Sequence, residues 1–307
     1  MQEPIISIQK LHKSYGTKTA LNHISIEITK GSVYGLIGQN GAGKTSLIRI
    51  LNQIIDANSG HIIFKGTPMT SEAVKHIGYL PEERGLYKNM TIEEQALYFG
   101  QLKGMTKVNA LEQLNYWLDR FDIVDWRKKK IQGLSKGMAQ KVQFIITVLH
   151  QPDLLILDEP FSGFDPINAN LIAKEIKTLA KNGTTVIFSS HRMESVAEMC
   201  DALCLIHHGN ILLEGSIQSI QKKYVQQVFE VTLNNYQENE LTLFLNNADY
   251  KTNIIQKEEE EIRFEVINNQ KETDQLLHDL LKVGKVISYK QHTPSLQDIF
   301  IKTIENA

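Results

Sequence analysis

At 307 residues and 42% hydrophobic content, the chain is long enough for one large core and a smaller second domain. Thirty-three Lys and Arg against 35 Asp and Glu leave a net charge of −2, which removes the global basic field expected of a nucleic-acid binder. No run approaches the ~18 consecutive apolar residues of a spanning helix, so the chain is no channel by itself and any membrane association passes through a partner.

The first residues, MQEPIISIQKLHK, alternate in polarity and lack the basic region and continuous apolar core of a signal peptide, which predicts a cytoplasmic protein. Alternation predicts strands over Ile5 to Leu11 and Ala20 to Ile28, and Ser32 to Ile37 reads as a short apolar strand. Immediately after it, Gly38 to Thr45 reads GQNGAGKT and satisfies G-x-x-x-x-G-K-[ST]. Glycines in this pattern let successive backbone N–H groups converge on phosphate oxygens. The contacts expected are Gly38, Asn40, Gly41, Ala42, Gly43 and Ser46, with Lys44 reaching the β- and γ-phosphates and the Thr45 hydroxyl available to Mg²⁺. Thr45 to Asn52 reads as the opening of a helix, whose N-terminus adds free donors and positive dipole. Gly60 to Phe64 predicts a further strand, so an antiparallel portion surrounds the loop.

From Thr91 to Leu149 the apolar spacing lengthens to a helical period, predicting a helical insert over about residues 88–150. Trp117 and Trp126 are expected to pack, and Arg127 to Lys130 to be a solvated face. Short apolar strands follow at Leu154 to Leu157, Thr185 to Ser189 and Ala202 to Ile206, alternating with helices near Asn168 to Asn182 and Arg192 to Cys200. That order predicts a mainly parallel sheet with chemistry at its strand ends. Asp158 closes the apolar run LLILDEP where it can hold the Mg²⁺ shell, and Glu159 can orient or deprotonate the attacking water. His191 follows TVIFSS, where its ring can meet the γ-phosphate or that water. Cys200 and Cys204, followed by His207 and His208, invite a metal reading; their placement on a helix and a strand favours core filling.

Ile211 to Glu214 predicts a last strand of this domain, residues 1–223, and the segment through Lys223 its last helix. Residues 224–307 read as a small α+β domain with strands at Gln227 to Leu233, Glu261 to Val266 and Lys285 to Tyr289. Helical patterns fall at Glu272 to Leu281 and Ser295 to Ile301, and Glu258 to Glu261 is expected as a solvated acidic turn. The predicted fold class is therefore α/β with a small α+β accessory domain.

Taken with these motifs, Leu134-Ser135-Lys136-Gly137-Met138, with Gln140 shortly after, resembles the L-S-G-G-Q signature loop of ATP-binding-cassette (ABC) transporter subunits. The likeness runs from about Ile5 to Lys223. It implies a P-loop NTPase cassette with an antiparallel β subdomain and helical insert, with ATP and Mg²⁺ as ligands. It also implies that Ser135 and Gly137 contact the γ-phosphate held by a second subunit, so that two copies, or two related chains, sandwich two ATP molecules. Tyr15 resembles the aromatic residue that stacks on adenine, a core tyrosine being the alternative. Asp165 resembles the acid of the loop between the two sites, and His191 the switch histidine. Three positions depart from the family pattern. Glu82 stands where glutamine is usual, still able to approach Mg²⁺, while Lys136 and Met138 replace glycine and glutamine; Lys136 either adds charge near phosphate or points to solvent. PEERGLYKNMT and the added domain resemble the sodium-export and drug-resistance (NatA-like) exporter group, which implies a separate multispan permease and a peripheral place on the inner face of the membrane. A soluble cassette ATPase acting on ribosomes or nucleic acid, and a regulatory nucleotide switch, are the other readings.

Overall fold

A computed structural model describes residues 3–307 apart from 84, 226, 259 and 269–272. The chain forms two compact units, Met1–Ile217 with Thr303–Ala307, and Gln218–Lys302.

The first unit opens with β1 (Pro4–Tyr15), β2 (Lys18–Thr29), β3 (Val33–Ile37), α1 (Lys44–Leu51), β4 (Ser59–Phe64), β5 (Thr67–Pro68) and β6 (Ile77–Leu80). Helices α2 (Ile92–Leu102), α3 (Lys107–Arg120) and α4 (Lys136–Val148) follow. It continues with β7 (Leu154–Asp158), α5 (Pro166–Lys181), β8 (Thr185–Ser189), α6 (Met193–Met199), β9 (Ala202–His207) and β10 (Asn210–Ser216), and α7 (Ile217–Tyr224) comes next.

One sheet has the order β2-β1-β4-β5 and is antiparallel; the other runs β10-β9-β3-β8-β7-β6. All neighbours in the second are parallel except the edge strand β10. Every residue of VYGLI, LLILD and TVIFS is buried, as continuous apolar runs are when both faces of a parallel strand are covered. Strand β2 instead alternates over its second half, burying Ile24, Ile26 and Ile28. The α1 residues Leu47, Ile48, Ile50 and Leu51 share one core with Ile6 and Ile8 of the first sheet and Ile156 and Ile187 of the second. The helix that follows the phosphate loop is thereby anchored to both sheets.

In the helical region, Thr91 and Glu94 form a reciprocal capping box on α2. Trp117 is buried against Phe121 and Phe144, as a packing tryptophan should be, while Trp126 is partly covered by the Lys129 ammonium. In the Arg127 to Lys130 run, Lys128, Lys129 and Lys130 are exposed, as a solvated face should be, with Lys128 reaching Glu93 from the surface; half-buried Arg127 pairs with Glu93 and donates to Asn115, which ties the segment before α4 to α2 and α3. Cys200 ends α6 and Cys204 lies in β9; both are buried, and burial pushes both thiols up.

The second unit contains β11 (Val228–Asn234), α8 (Glu238–Leu245), β12 (Tyr250–Lys257), β13 (Glu261–Asn268), α9 (Thr273–Val283), β14 (Lys285–Gln291) and most of α10 (Leu296–Glu305). Its antiparallel sheet has the order β12-β13-β11-β14, which with the βαββαβ element order is a split-βαβ, ferredoxin-like arrangement. Phe229, Val231 and Leu233 alternate inward and meet Phe244, Phe264, Leu276 and Leu280. Helix α8 and strand β12 carry no strong sequence signal, because α8 buries only Leu241 and Phe244 and β12 only Tyr250. Of the acidic turn, Glu259 lies outside the described residues, as does Glu272 of the helical pattern, and α9 starts at Thr273.

Candidate active site

The ends of three parallel strands build the site. Gly38 follows β3, Asp158 closes β7, and Ser190 and His191 follow β8. The glycines of the loop are required sterically. A Cβ at Gly43, whose φ is +122°, would overlap the Ala20 carbonyl oxygen, and one at Gly38 would overlap that of Ile206. The loop therefore passes flush against β2 and β9. Gly41, at φ +81°, supplies the left-handed turn, with exposed Asn40 beside it and buried Ala42 after it.

Lys44 spans the loop from inside: Nζ donates to Gly38 O at 2.6 Å and to Gln39 O at 3.2 Å. Burial pulls its pKa down, while the carboxylates of Glu159, Asp158 and Glu82 act in the opposite direction. Thr45 is exposed at the start of α1 and Ser46 is half-buried. Tyr15 is 47% exposed, which removes the core-tyrosine alternative. Its hydroxyl lies 3.4 Å from Ser46 Oγ and its ring 5.2 Å from Lys13 Nζ.

Glu159 is the most constrained side chain here. Its φ of +49° is rare for a residue with a side chain, and its N–H donates to Ser189 O at 3.0 Å. Oε1 accepts from the His191 N–H at 2.8 Å and lies 2.7 Å from His191 Nδ1, while Oε2 accepts from Ser190 Oγ at 3.3 Å. His191 is thus paired with the carboxylate, a contact that spacing alone did not give. Neighbouring Asp158 is buried, and burial pushes its carboxyl above the ordinary range, with Glu82 and Glu159 adding to the rise and Lys44 opposing it.

A cavity of about 300 Å³ is walled by Glu82, Asp158, Glu159, Lys136, Gln140 and Ser162, among others. Lys136 accordingly lies beside the carboxylates; its ammonium crosses the face of Gly163, and Gln140 Nε2 donates to Ser162 O. Four carboxylates, Glu82, Glu83, Asp158 and Glu159, line this cavity with one ammonium and leave an excess of negative charge and hard oxygen donors of the kind that attract a divalent cation, although among the described residues they are not gathered into a ready-made metal site. Ser135 caps α4 by accepting from Met138 N at 3.3 Å, and Gly137 faces the Asn168 side chain. Asp165 caps α5 in the same way, accepting from Asn168 N at 3.0 Å. Neither Ser135 nor Gly137 lines the cavity of the chain's own carboxylates. Sequence reading overlooked Ser190 and Gln143, for which a polar residue after an apolar strand and one inside an apolar helix face were the signals.

The ABC transporter family model matches residues 21–162, and an AAA domain model overlaps it at 128–197. A DrrA1-3-like C-terminal domain model matches 215–304. The ABC transporter ATP-binding protein YhaQ of Bacillus subtilis is 37% identical over 98% of this chain and 98% of its own length. The chain belongs to the family of ABC transporter ATP-binding proteins. The linearmycin resistance ATP-binding protein LnrL of the same organism is 34% identical over 69% of each chain. The solved structure of an ATP binding subunit of an ABC transporter superposes with a TM-score of 0.68 at 25% identity, covering 72% of this chain and 93% of that one. This ABC protein is an ATP-hydrolysing enzyme with a P-loop cassette fold and a C-terminal α+β unit. Among the described residues no helix is long and apolar enough to cross a membrane.

Proposed function

We propose that this ABC ATPase powers a separate multispan permease of an exporter, working as a pair of ATP-binding subunits, most simply two copies of this chain. The observation that carries the chemistry is the Glu159 carboxylate, fixed by His191 and Ser190 beside Asp158 at the end of a buried strand. In this reading the N–H groups of residues 38–46 cradle the phosphates, Lys44 exchanges its loop carbonyls for phosphate oxygens, and Tyr15 stacks on adenine. Thr45, Asp158 and Glu82 would hold Mg²⁺, which would neutralise charge on the transferred phosphoryl group. Glu159 takes a proton from the attacking water, and His191 steadies that carboxylate and the γ-phosphate. Ser135 and Gly137 complete the site of the other subunit, whose phosphate loop faces them.

Export is supported by the DrrA1-3-like C-terminal match and by the linearmycin resistance relative, which together favour the NatA-like and drug-resistance-like group. Residues 224–307 are the accessory domain of that reading. A groove of about 270 Å³ beside the nucleotide edge suits a permease segment, being walled by Pro81, Leu86, Phe99 and Ile146, with Lys103, whose pKa burial lowers to about 8. Such a partner places the protein on the inner face of the membrane.

The test is copurification. Tagged Glu159→Gln chain, held with ATP and drawn from gently solubilised native membranes, is expected to retain a stoichiometric multispan protein. A partner set made only of ribosomal or other soluble proteins would replace this reading with that of a soluble cassette ATPase.

A further inference from the structure

Lys136 is the first helical residue of α4, directly after the Ser135 cap, and no acidic residue accompanies it in the first turn. A cation there meets the positive end of the helix dipole, so the helix itself gives no reason for the charge. The side chain is exposed, yet it lies back across the loop that follows Glu159. A Cβ at Gly163, whose φ is +76°, would overlap the Lys136 Cε and Nζ, so the lysine takes its path over a residue that has no side chain.

That path leads to negative charge. Lys136 lines the cavity of Glu82, Glu83, Asp158 and Glu159, and among the described residues no ion pair ties it to any one of them. It therefore acts on their summed charge. Lys44 acts on the same carboxylates from the phosphate loop, but its ammonium is committed to Gly38 O and Gln39 O. Gln140 and Gln143 also line the cavity, with Oε1 of the first and Nε2 of the second unmatched; as neutral amides they leave the charge balance unchanged.

We propose that Lys136 is a positioning residue that serves as counter-cation to its own chain's carboxylates, its ammonium offsetting their charge before nucleotide arrives and yielding that place on Mg²⁺–nucleotide binding. The start of α4 then serves two sites. Ser135 and Gly137 belong to the partner's phosphate in the function proposed above, and Lys136 belongs to the site of its own chain. The inference rests on the reading of this cavity as the Mg²⁺ site.

The test is metal binding to the full chain without nucleotide, with Mn²⁺ as the probe read by electron paramagnetic resonance, beside thermal melting with and without Mg²⁺. Removing the ammonium takes a like charge away from an incoming dication, so Lys136→Met is expected to bind Mn²⁺ roughly tenfold more tightly than the unaltered chain. Mg²⁺ alone is then expected to raise the Tm of Lys136→Met further than it raises that of the unaltered chain. Lys136→Arg keeps the charge and is expected to match the unaltered chain in both readings. Lys174→Met, which removes an exposed charge from α5, is expected to change neither. Equal Mn²⁺ affinity with and without the Lys136 ammonium, or the same gain in Lys174→Met, would overturn the inference. Adding Asp158→Asn to Lys136→Met separates the inference from the reading beneath it. If the added change abolishes Mn²⁺ binding while Lys136→Met alone binds no more tightly than the unaltered chain, only the role of Lys136 falls. Mn²⁺ binding that survives the added change places the metal elsewhere and removes both.

Discussion

Changing Glu159 to Gln lowers ATP turnover by roughly 10²–10⁴-fold, the range of a lost general base, with nucleotide affinity held within about threefold. Glutamine keeps the volume, and its oxygen can still accept from the His191 N–H, which now donates to Oε1 at 2.8 Å. What it loses is the basic lone pair and the charge facing His191 Nδ1 at 2.7 Å. The effect therefore falls on kcat and spares binding. Steady-state phosphate release, read beside equilibrium nucleotide binding, separates the two. An unchanged kcat would remove Glu159 from the chemistry.

Changing Lys44 to Ala has the complementary signature. Hydrogen bonds to charged groups are worth about 1.5–3 kcal/mol each, so losing the ammonium raises the Kd for ATP about 10–100-fold and abolishes measurable turnover. Some cost to the loop accompanies it, because Lys44 Nζ holds Gly38 O and Gln39 O across the turn. Lys44→Met keeps the apolar stem that fills this space and is expected to melt nearer the unaltered chain while binding ATP as poorly as the alanine variant. Retained affinity in both variants would mean that the ammonium serves the loop and not the phosphates.

Much of this was legible in the residues, for identifiable reasons. The runs VYGLI, LLILD and TVIFS announced buried parallel strands because they lie inside a covered sheet, where apolar side chains dominate and polar ones fall mainly at the strand ends. The glycines of GQNGAGKT stood out because two of them pass so close to neighbouring carbonyls that no other residue fits. Harder to read were contacts between residues far apart in the chain. Glu159 and His191 are brought together only by β7 lying beside β8, and Glu93 meets Arg127 only once α2 packs against the segment before α4. Helix α8 and strand β12 escaped because each buries so few side chains that its periodicity is faint. Lys136 was left between phosphate and solvent, since nothing in the order of residues places Gly163 beneath its side chain.

The composite site is tested most directly by mixing two inactive chains. Lys44→Ala spoils the phosphate loop and spares the signature loop. Gly137→Asp does the reverse, placing a negative charge where the partner's γ-phosphate is to sit while leaving the Ser135 cap of α4 in place. Half of the dimers formed at equal concentrations pair unlike chains, and each of these holds one site with both halves intact, so the mixture is expected to recover roughly a quarter of wild-type turnover. Turnover in the mixture no higher than in either variant alone would contradict a site shared between two copies of this chain.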